Sequence, residues 1–322
     1  MKTVTALAAF GLALGMMATG TVRADTFGSG NNTFTIDFQT VGNAGNANDA
    51  GAGGGNYSSS YGGVAYDFRM GTYEISQDMI TKATNLGLAN VTAGAHAGNK
   101  PAAEISWYEA AAFVNWLNLQ VGAHVAYDLT FGGGWFMTLW GPGEQASTGV
   151  ASGTNPYRHK DAFYVLPSED EWYKSAYHQN TGVNADYWDY ATASNTIPTA
   201  VGNGTAAGTA VYDDQIGPAD ITEAGGLSSY GTMGQNGNVW EWSESAYTAP
   251  NDSWFEDRAL RGGQWIGGES FLRSSHRTDL DPFGEQTVVG FRVASVPEPS
   301  AALLVLMAGG AWLLRRRSSR SL

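Results

Sequence analysis

Residues 234–245 read GQNGNVWEWSES. Gly237 and Asn238 form a turn signal, since glycine and asparagine tolerate left-handed backbone. Trp240 and Trp242 then flank Glu241. A buried helix rarely opens on such a turn, and a solvent loop rarely carries two tryptophans two positions apart. The stretch is predicted to be a loop held still, with the tryptophans as packing anchors.

Working outward, residues 182–230 are mostly glycine, alanine, threonine and aspartate with little apolar period. So much irregular backbone needs something besides helix and sheet to fix it. Residues 41–63 are loop-like in the same way, and in residues 64–70 Val64, Tyr66, Phe68 and Met70 alternate as in a half-buried strand. Helices are predicted where caps meet apolar spacing. Ser76 precedes Met79, Ile80, Ala83 and Leu86, with Gly87 as the stop. Ser106 and Glu109 make a capping box ahead of Trp107, Ala111, Val114 and Leu117. Ser168 and Glu171 repeat it, with Glu169, Asp170 and Glu171 in the first turn and Trp172 and Ala176 facing inward. Those carboxylates are read as helix-start residues, not catalytic acids.

The 322 residues are 43% hydrophobic and 15% charged, with eleven tryptophans, which is the composition of an ordered chain with a core. There is no cysteine. That excludes disulfides, thiolate metal sites and thiol catalysis. Residues 1–24 run from Lys2 through an apolar block to Val22 and Ala24, the small residues a signal peptidase inspects, and are expected to be a secretory signal. Residues 296–322 hold Val296-Pro297-Glu298-Pro299, an apolar run over 301–314, and Arg315, Arg316 and Arg317. As a helix the run spans roughly 21 Å, short of a hydrocarbon core of roughly 30 Å. This ending resembles the PEP-CTERM sorting signal of exported bacterial proteins, which implies an exosortase as sorting partner; a plain tail anchor with a short transmembrane helix is the alternative. Without the six basic residues of the two ends and without Glu298, the body keeps 11 basic and 29 acidic side chains, a net −18. Such a body has no electrostatic reason to seek nucleic acid or anionic lipid. Contact with the membrane is expected only through the C-terminal segment, and the location is expected to be the cell envelope, cell surface or extracellular matrix.

Six blocks together resemble one family: GTYEIS, PAAEISWYEAAAFVNWL, YVLPSEDEWYKSAY, SSYGTMGQNGNVWEWSES, RALRGGQW and FLRSSHR…VVGFRVAS, spread over roughly residues 60–295. They are similar to the formylglycine-generating enzyme or sulfatase-modifying-factor family. The resemblance implies an α+β, C-type-lectin-like fold over residues 64–295, with short strands, few helices and much ordered loop, preceded by a strand and glycine-rich loop over residues 25–63. It also implies structural calcium on Asn236, Gly237, Val239 and Glu241, since calcium takes six to eight oxygens and such a turn offers carbonyls and a carboxylate. A metal-free turn with Glu241 bonded to backbone amides is the alternative. For the family's second calcium site only Asn203 and Asp220 are candidates.

The family's best-known activity oxidises a substrate cysteine with copper(I) held by two thiolates. Counting from the RGG of residues 261–263, those positions are Gly267 and Leu272, and the serine that usually follows the glycines is Gln264. Copper(I) needs soft ligands, so copper and formylglycine formation are not expected and no catalytic residue is assigned. The five histidines, His96, His124, His159, His178 and His276, show no metal-ligand spacing. Arg261, Arg273, Arg277 and Arg292 are read as loop ties, with anionic-substrate binding as the lesser possibility. Trp242, Gln264, Trp265 and His276 are the candidate substrate-binding residues, and Trp135, Trp140, Trp254 and Trp265 are expected to rim a groove for a glycan or peptide. The reading is a noncatalytic, calcium-stabilised binding or matrix module. A divergent oxidoreductase using the same pocket, or a surface component with no ligand, are the alternatives.

Overall fold

Three helices begin at the expected hydroxyl caps. The computed structural model describes residues 23–51, 61–92, 94, 96–147, 154–248 and 251–296. It places α1 at Gln77–Asn85, α2 at Trp107–Gln120 and α3 at Glu169–Tyr177. Ser76 accepts from the Met79 amide, while Ser106 with Glu109 and Ser168 with Glu171 close full capping boxes. Gly87, just past the α1 cap, takes the left-handed φ of +101° that stops the helix. α2 is buried on more than one stripe: every residue from Trp107 to Val114 is buried, then Trp116, Leu117 and Asn118. A helix apolar on nearly every side belongs in the centre of the fold.

The strands are short, and the architecture is α+β as expected. One sheet runs in the order Arg23–Phe27, Phe34–Val41, Phe68–Gly71, Ala294–Ser295, Tyr164–Val165, with antiparallel pairs throughout. Phe34–Val41, assigned from sequence to a stretch ahead of the domain, is thus paired inside the domain's sheet. The other large sheet runs Thr278–Leu280, Arg258–Arg261, Trp240–Ala246, Val289–Gly290, the last pair parallel. The strand expected over residues 64–70 pairs only from Phe68. Val64 is tied to a loop instead, its amide donating to Asn46 Oδ1 and its carbonyl accepting from Gly45. Residues 182–230 are irregular as expected, apart from the parallel pair Thr199–Ala200 and Thr209–Ala210. Among the described residues no helix is long and apolar enough to cross a membrane. The expected secretory signal and sorting segment lie, but for Arg23, Ala24 and Val296, outside the described residues.

The irregular backbone is fastened to the first turn of α3. Glu169 accepts from Arg261 Nε at 2.7 Å and from Arg277 Nε and Nη2 at 2.8 and 2.6 Å. Glu171 accepts from Arg158 Nη1 and Nη2 at 2.9 and 2.8 Å and from the Tyr66 hydroxyl at 2.7 Å. Burial alone would raise the Glu171 carboxyl, but the Arg158 charge and hydrogen bonds hold it below its ordinary value. The backs of the guanidinium groups reach loop carbonyls: Arg261 those of Ser274 and His276, Arg277 that of Tyr247, Arg158 that of Leu166. One helix turn therefore holds two distant loops, at Tyr247 and at Ser274 and His276, and braces Leu166 beside it. Arg273, read from sequence as a fourth tie, is half exposed; it meets Glu269 at 3.3 Å and lies over the Tyr190 ring. Glu169→Gln leaves two buried guanidinium groups without a counter-charge, and urea unfolding is expected to show a loss of about 3–5 kcal/mol. A loss under about 1 kcal/mol would refute that role.

Candidate functional site

The loop that opens the sequence argument is rigid for reasons visible atom by atom. Gly234 and Gly237 have φ of +82° and +87°. A Cβ on Gly237 would sit 2.1 Å from the Val211 carbonyl, and one on Gly234 would sit 2.5 Å from Glu74 Oε1. Only glycine lets the loop approach so closely. Asn238, also left-handed, donates from Nδ2 to Glu74 Oε1 at 2.9 Å and accepts at Oδ1 from the Ala219 amide at 2.8 Å.

Of the four residues expected to hold calcium, Glu241 has its carboxylate met by neighbouring side chains. Both oxygens of Glu241 are taken: Arg292 Nε and Nη2 donate to Oε2 and Oε1 at 2.5 Å each, and Trp172 Nε1 donates to Oε2 at 2.7 Å. A divalent ion there would face a buried guanidinium. Asn236 turns its amide nitrogen to the Leu272 carbonyl at 2.8 Å, the Gly237 amide donates to the Gly262 carbonyl, and Val239 packs with Ala103, Val211, Ala219 and Trp265. Among the described residues no group of three or more His, Cys, Asp or Glu is arranged for a metal. Nor does Glu241 bond to backbone amides, the other expectation; its partners are a guanidinium and an indole. Sequence spacing could not reveal this, because Arg292 lies 51 positions away.

The thiol positions of the family's copper site are equally closed. A Cβ on Gly267 would lie 2.6 Å from the Phe271 ring, so that ring fills the space a side chain there would use. Leu272 is fully buried beside Tyr190, Ala210 and Tyr212. Neither residue fits copper. His276 sits 4.9 Å from the Phe271 ring and 5.6 Å from Trp240, centroid to centroid. Burial first, then the Arg261 charge, lower its pKa. The tryptophan of this cluster is Trp240; Trp242, named from sequence, is fully buried elsewhere and donates to the Ile105 carbonyl at 2.9 Å. Gln264 folds back, its Oε1 accepting from the Ile266 amide at 2.7 Å.

A cavity of about 600 Å³ is lined among others by His96, Lys100, Asn203, Gln215, Asp220 and Trp265. It brings Asn203 and Asp220 together, but with the Lys100 ammonium, which donates to the Pro218 carbonyl. The four tryptophans expected around one groove are dispersed. Trp265 meets His96, Trp140 meets His124 and His159, Trp135 meets Phe131, and Trp254 lies among Phe136, Phe255 and Phe283.

Glu74 carries no chemistry in the sequence reading, yet it lies against the loop. It is buried, its Oε2 has no partner, and its pKa is raised to about 7, by burial first, with Arg292 opposing and Glu241 adding. A carboxyl with a raised folded pKa contributes stability that is full below its unfolded value and is lost as pH rises through about 7. Glu74→Gln lacks that loss. Its stability relative to the parent is expected to improve by about 1–3 kcal/mol between pH 5 and pH 8 in paired urea titrations; an unchanged difference would contradict the assignment.

A family model described as a sulfatase-modifying factor enzyme 1-like domain matches residues 37–296. Among known proteins, the chain is 30% identical over 148 residues to hercynine oxygenases of Mycolicibacterium smegmatis and Mycolicibacterium thermoresistibile. Those alignments cover 40% of this chain and 32% and 31% of theirs, so the chain spans about a third of the length of these relatives. Among solved structures, Treponema denticola variable protein 1 superposes with a TM-score of 0.58 at 19% identity, over 85% of this chain and 99% of that one. CarF gives 0.55 at 16% over 81% and 98%, and PvdO from Pseudomonas aeruginosa 0.52 at 14% over 85% and 98%. These identities speak for the fold alone. With the α3 tie points, the Gly-Asn turn and a family match across most of its length, the chain belongs to the formylglycine-generating enzyme, or sulfatase-modifying-factor, family.

Proposed function

We propose that this chain is a noncatalytic member of its family that acts as an exported binding or matrix module. The observation that carries the reading is the filled thiol site: the Phe271 ring occupies the space beside Gly267, and Leu272 is wall. A pocket built to oxidise a bound thiol needs a soft metal held open to substrate. Here aromatic and aliphatic side chains stand in that place, and His276 packs against the touching rings of Phe271 and Trp240.

The cavity lined by Trp265 is the ligand site of this reading. An indole and His96 form its apolar side, and the amides of Asn203 and Gln215 with the carboxylate of Asp220 form its polar side. This mixture of one ring and several planar hydrogen-bonding groups suits a glycan or a short peptide. Its location belongs to the same reading: secretion directed by residues 1–24, and sorting to the envelope by the 296–322 segment through an exosortase. Arg292 supplies the positive charge at Glu241, so calcium is not part of the proposal.

The other reading, a divergent oxidoreductase, draws on the name of the hercynine oxygenases. Elemental analysis after incubation with copper or iron separates the two: stoichiometric uptake of either metal favours the enzyme. For the binding module, a thiol peptide incubated with the protein, copper(I) and oxygen is expected to yield no aldehyde by mass spectrometry. Aldehyde formation would end the proposal. Excess chelator is expected to leave the melting temperature within about 2 °C of the untreated value, because a bound ion lost at a hundredfold excess over its Kd removes about 2.7 kcal/mol. On a glycan and peptide array, any ligand retained by the parent is expected to be lost in Trp265→Ala. A parent that binds nothing, or a ligand indifferent to Trp265, would count against the cavity.

A further inference from the structure

One face of the molecule, away from the filled thiol site, carries aromatic rings in water. Phe136, Phe255 and Phe283 are 50%, 61% and 43% exposed, and all three rings approach Trp254, at 5.5, 5.4 and 5.9 Å. They come from three segments, the Trp135–Thr138 strand, the loop at residues 251–257 and the loop at residues 281–285. Exposed large apolar side chains gathered in one place mark an interaction surface. The platform is stiff from below. The Trp254 carbonyl accepts from the Tyr108 hydroxyl and from buried Arg258, and the Ser253 carbonyl accepts from the Tyr157 hydroxyl at 3.0 Å. Rigid aromatic anchors lose little entropy on binding.

The same face is acidic. Asp252 and Asp257 flank Trp254 and Phe255, and Asp279 and Asp281 lead into Phe283. The pairing of Arg258 with Leu280 and of Ala259 with Asp279 brings the two loops to one end of the sheet. Their proximity is felt electrostatically: burial first, then the charges of Asp279 and Asp281, raise the Asp257 carboxyl. Residues 128–138, 251–257 and 279–285 contain no lysine or arginine. Arg258, next in sequence, is fully buried between Trp107 and Tyr157, so the patch has no positive charge of its own at the surface.

These two properties together select the occupant. A second copy would bring the same carboxylates against themselves, and an anionic membrane or nucleic acid would be repelled. A neutral glycan would use the rings and leave four carboxylates unanswered. Arginine answers both, since its guanidinium stacks on aromatic faces and pairs with carboxylates. We propose that the face bearing Phe136, Trp254, Phe255 and Phe283 docks a cationic polypeptide segment, one that presents arginine or lysine beside apolar side chains. The proposal does not depend on the cavity beside Trp265, and either can fail alone.

The test uses the full chain and a fluorescein-labelled peptide alternating arginine and leucine, read by anisotropy. Saturable one-to-one binding is expected. It is expected to weaken about tenfold or more in Phe136→Ser/Phe255→Ser, and likewise in Asp257→Asn/Asp279→Asn/Asp281→Asn, with melting temperatures unchanged. If the double phenylalanine variant does not fold, Phe255→Ser alone serves, since its ring is the most exposed of the four. A glutamate–leucine peptide, phosphatidylglycerol vesicles and dextran are expected not to bind. The proposal is overturned by no binding of the cationic peptide, by binding that both variants retain in full, or by variant-sensitive binding of dextran, vesicles or a second copy instead.

Discussion

The fold depends on burying the acidic first turn of α3 against arginines drawn from far along the chain. Glu169 gathers Arg261 and Arg277, Glu171 takes Arg158, and Trp172 holds Glu241 against Arg292. A helix N-terminus already favours negative charge, but here the carboxylates do more than complement a dipole. Each guanidinium has hydrogen-bonding capacity left after its carboxylate is met, and that remainder satisfies loop carbonyls that no sheet reaches. Buried ion pairs add little net stability over apolar packing. Their value in a chain so poor in regular structure is geometric, because they specify where loops separated by about a hundred residues must lie.

That arrangement separates scaffold from chemistry. Gly267 and Leu272 take no part in the ion pairs, although Arg261 also reaches the His276 carbonyl. At Gly267 the Phe271 ring takes the space a side chain would use, and Leu272 is wall beside Tyr190 and Tyr212. The same separation explains the charge distribution. Inside, Glu169, Glu171, Glu241 and Glu244 each meet a guanidinium, whereas Glu74 keeps one oxygen without a partner and burial raises its pKa to about 7. Outside, acidic residues gather with no lysine or arginine from the same segments, around the rings of Trp254 and Phe255 in particular.

Much of this was legible beforehand wherever the determinants are local. Hydroxyl caps followed three positions later by glutamate located α2 and α3, and the Gly-Asn turn located the loop ahead of Trp240. The alternation over residues 64–70 misled at its start, because Val64 bonds to Asn46, whose side chain competes with the sheet for the same amide. Glu241 is hard to read from sequence for a related reason. A carboxylate after a turn offers the same local pattern whether a metal or an arginine meets it. Trp240 and Trp242 lie two positions apart on one strand and so share a face, and sequence alone left open which of them reaches His276.

The sequence by itself determined the family, the helix starts, the irregular loops and the absence of any thiol, since each follows from residue identity or from spacings of a few positions. Only the tertiary structure decided what each charge and ring does. Arg292 reaches Glu241, Phe271 fills the place beside Gly267, and four tryptophans that sequence grouped together stand on different faces. Those outcomes are set by contacts between segments remote in the chain, and no local pattern encodes the distance between them.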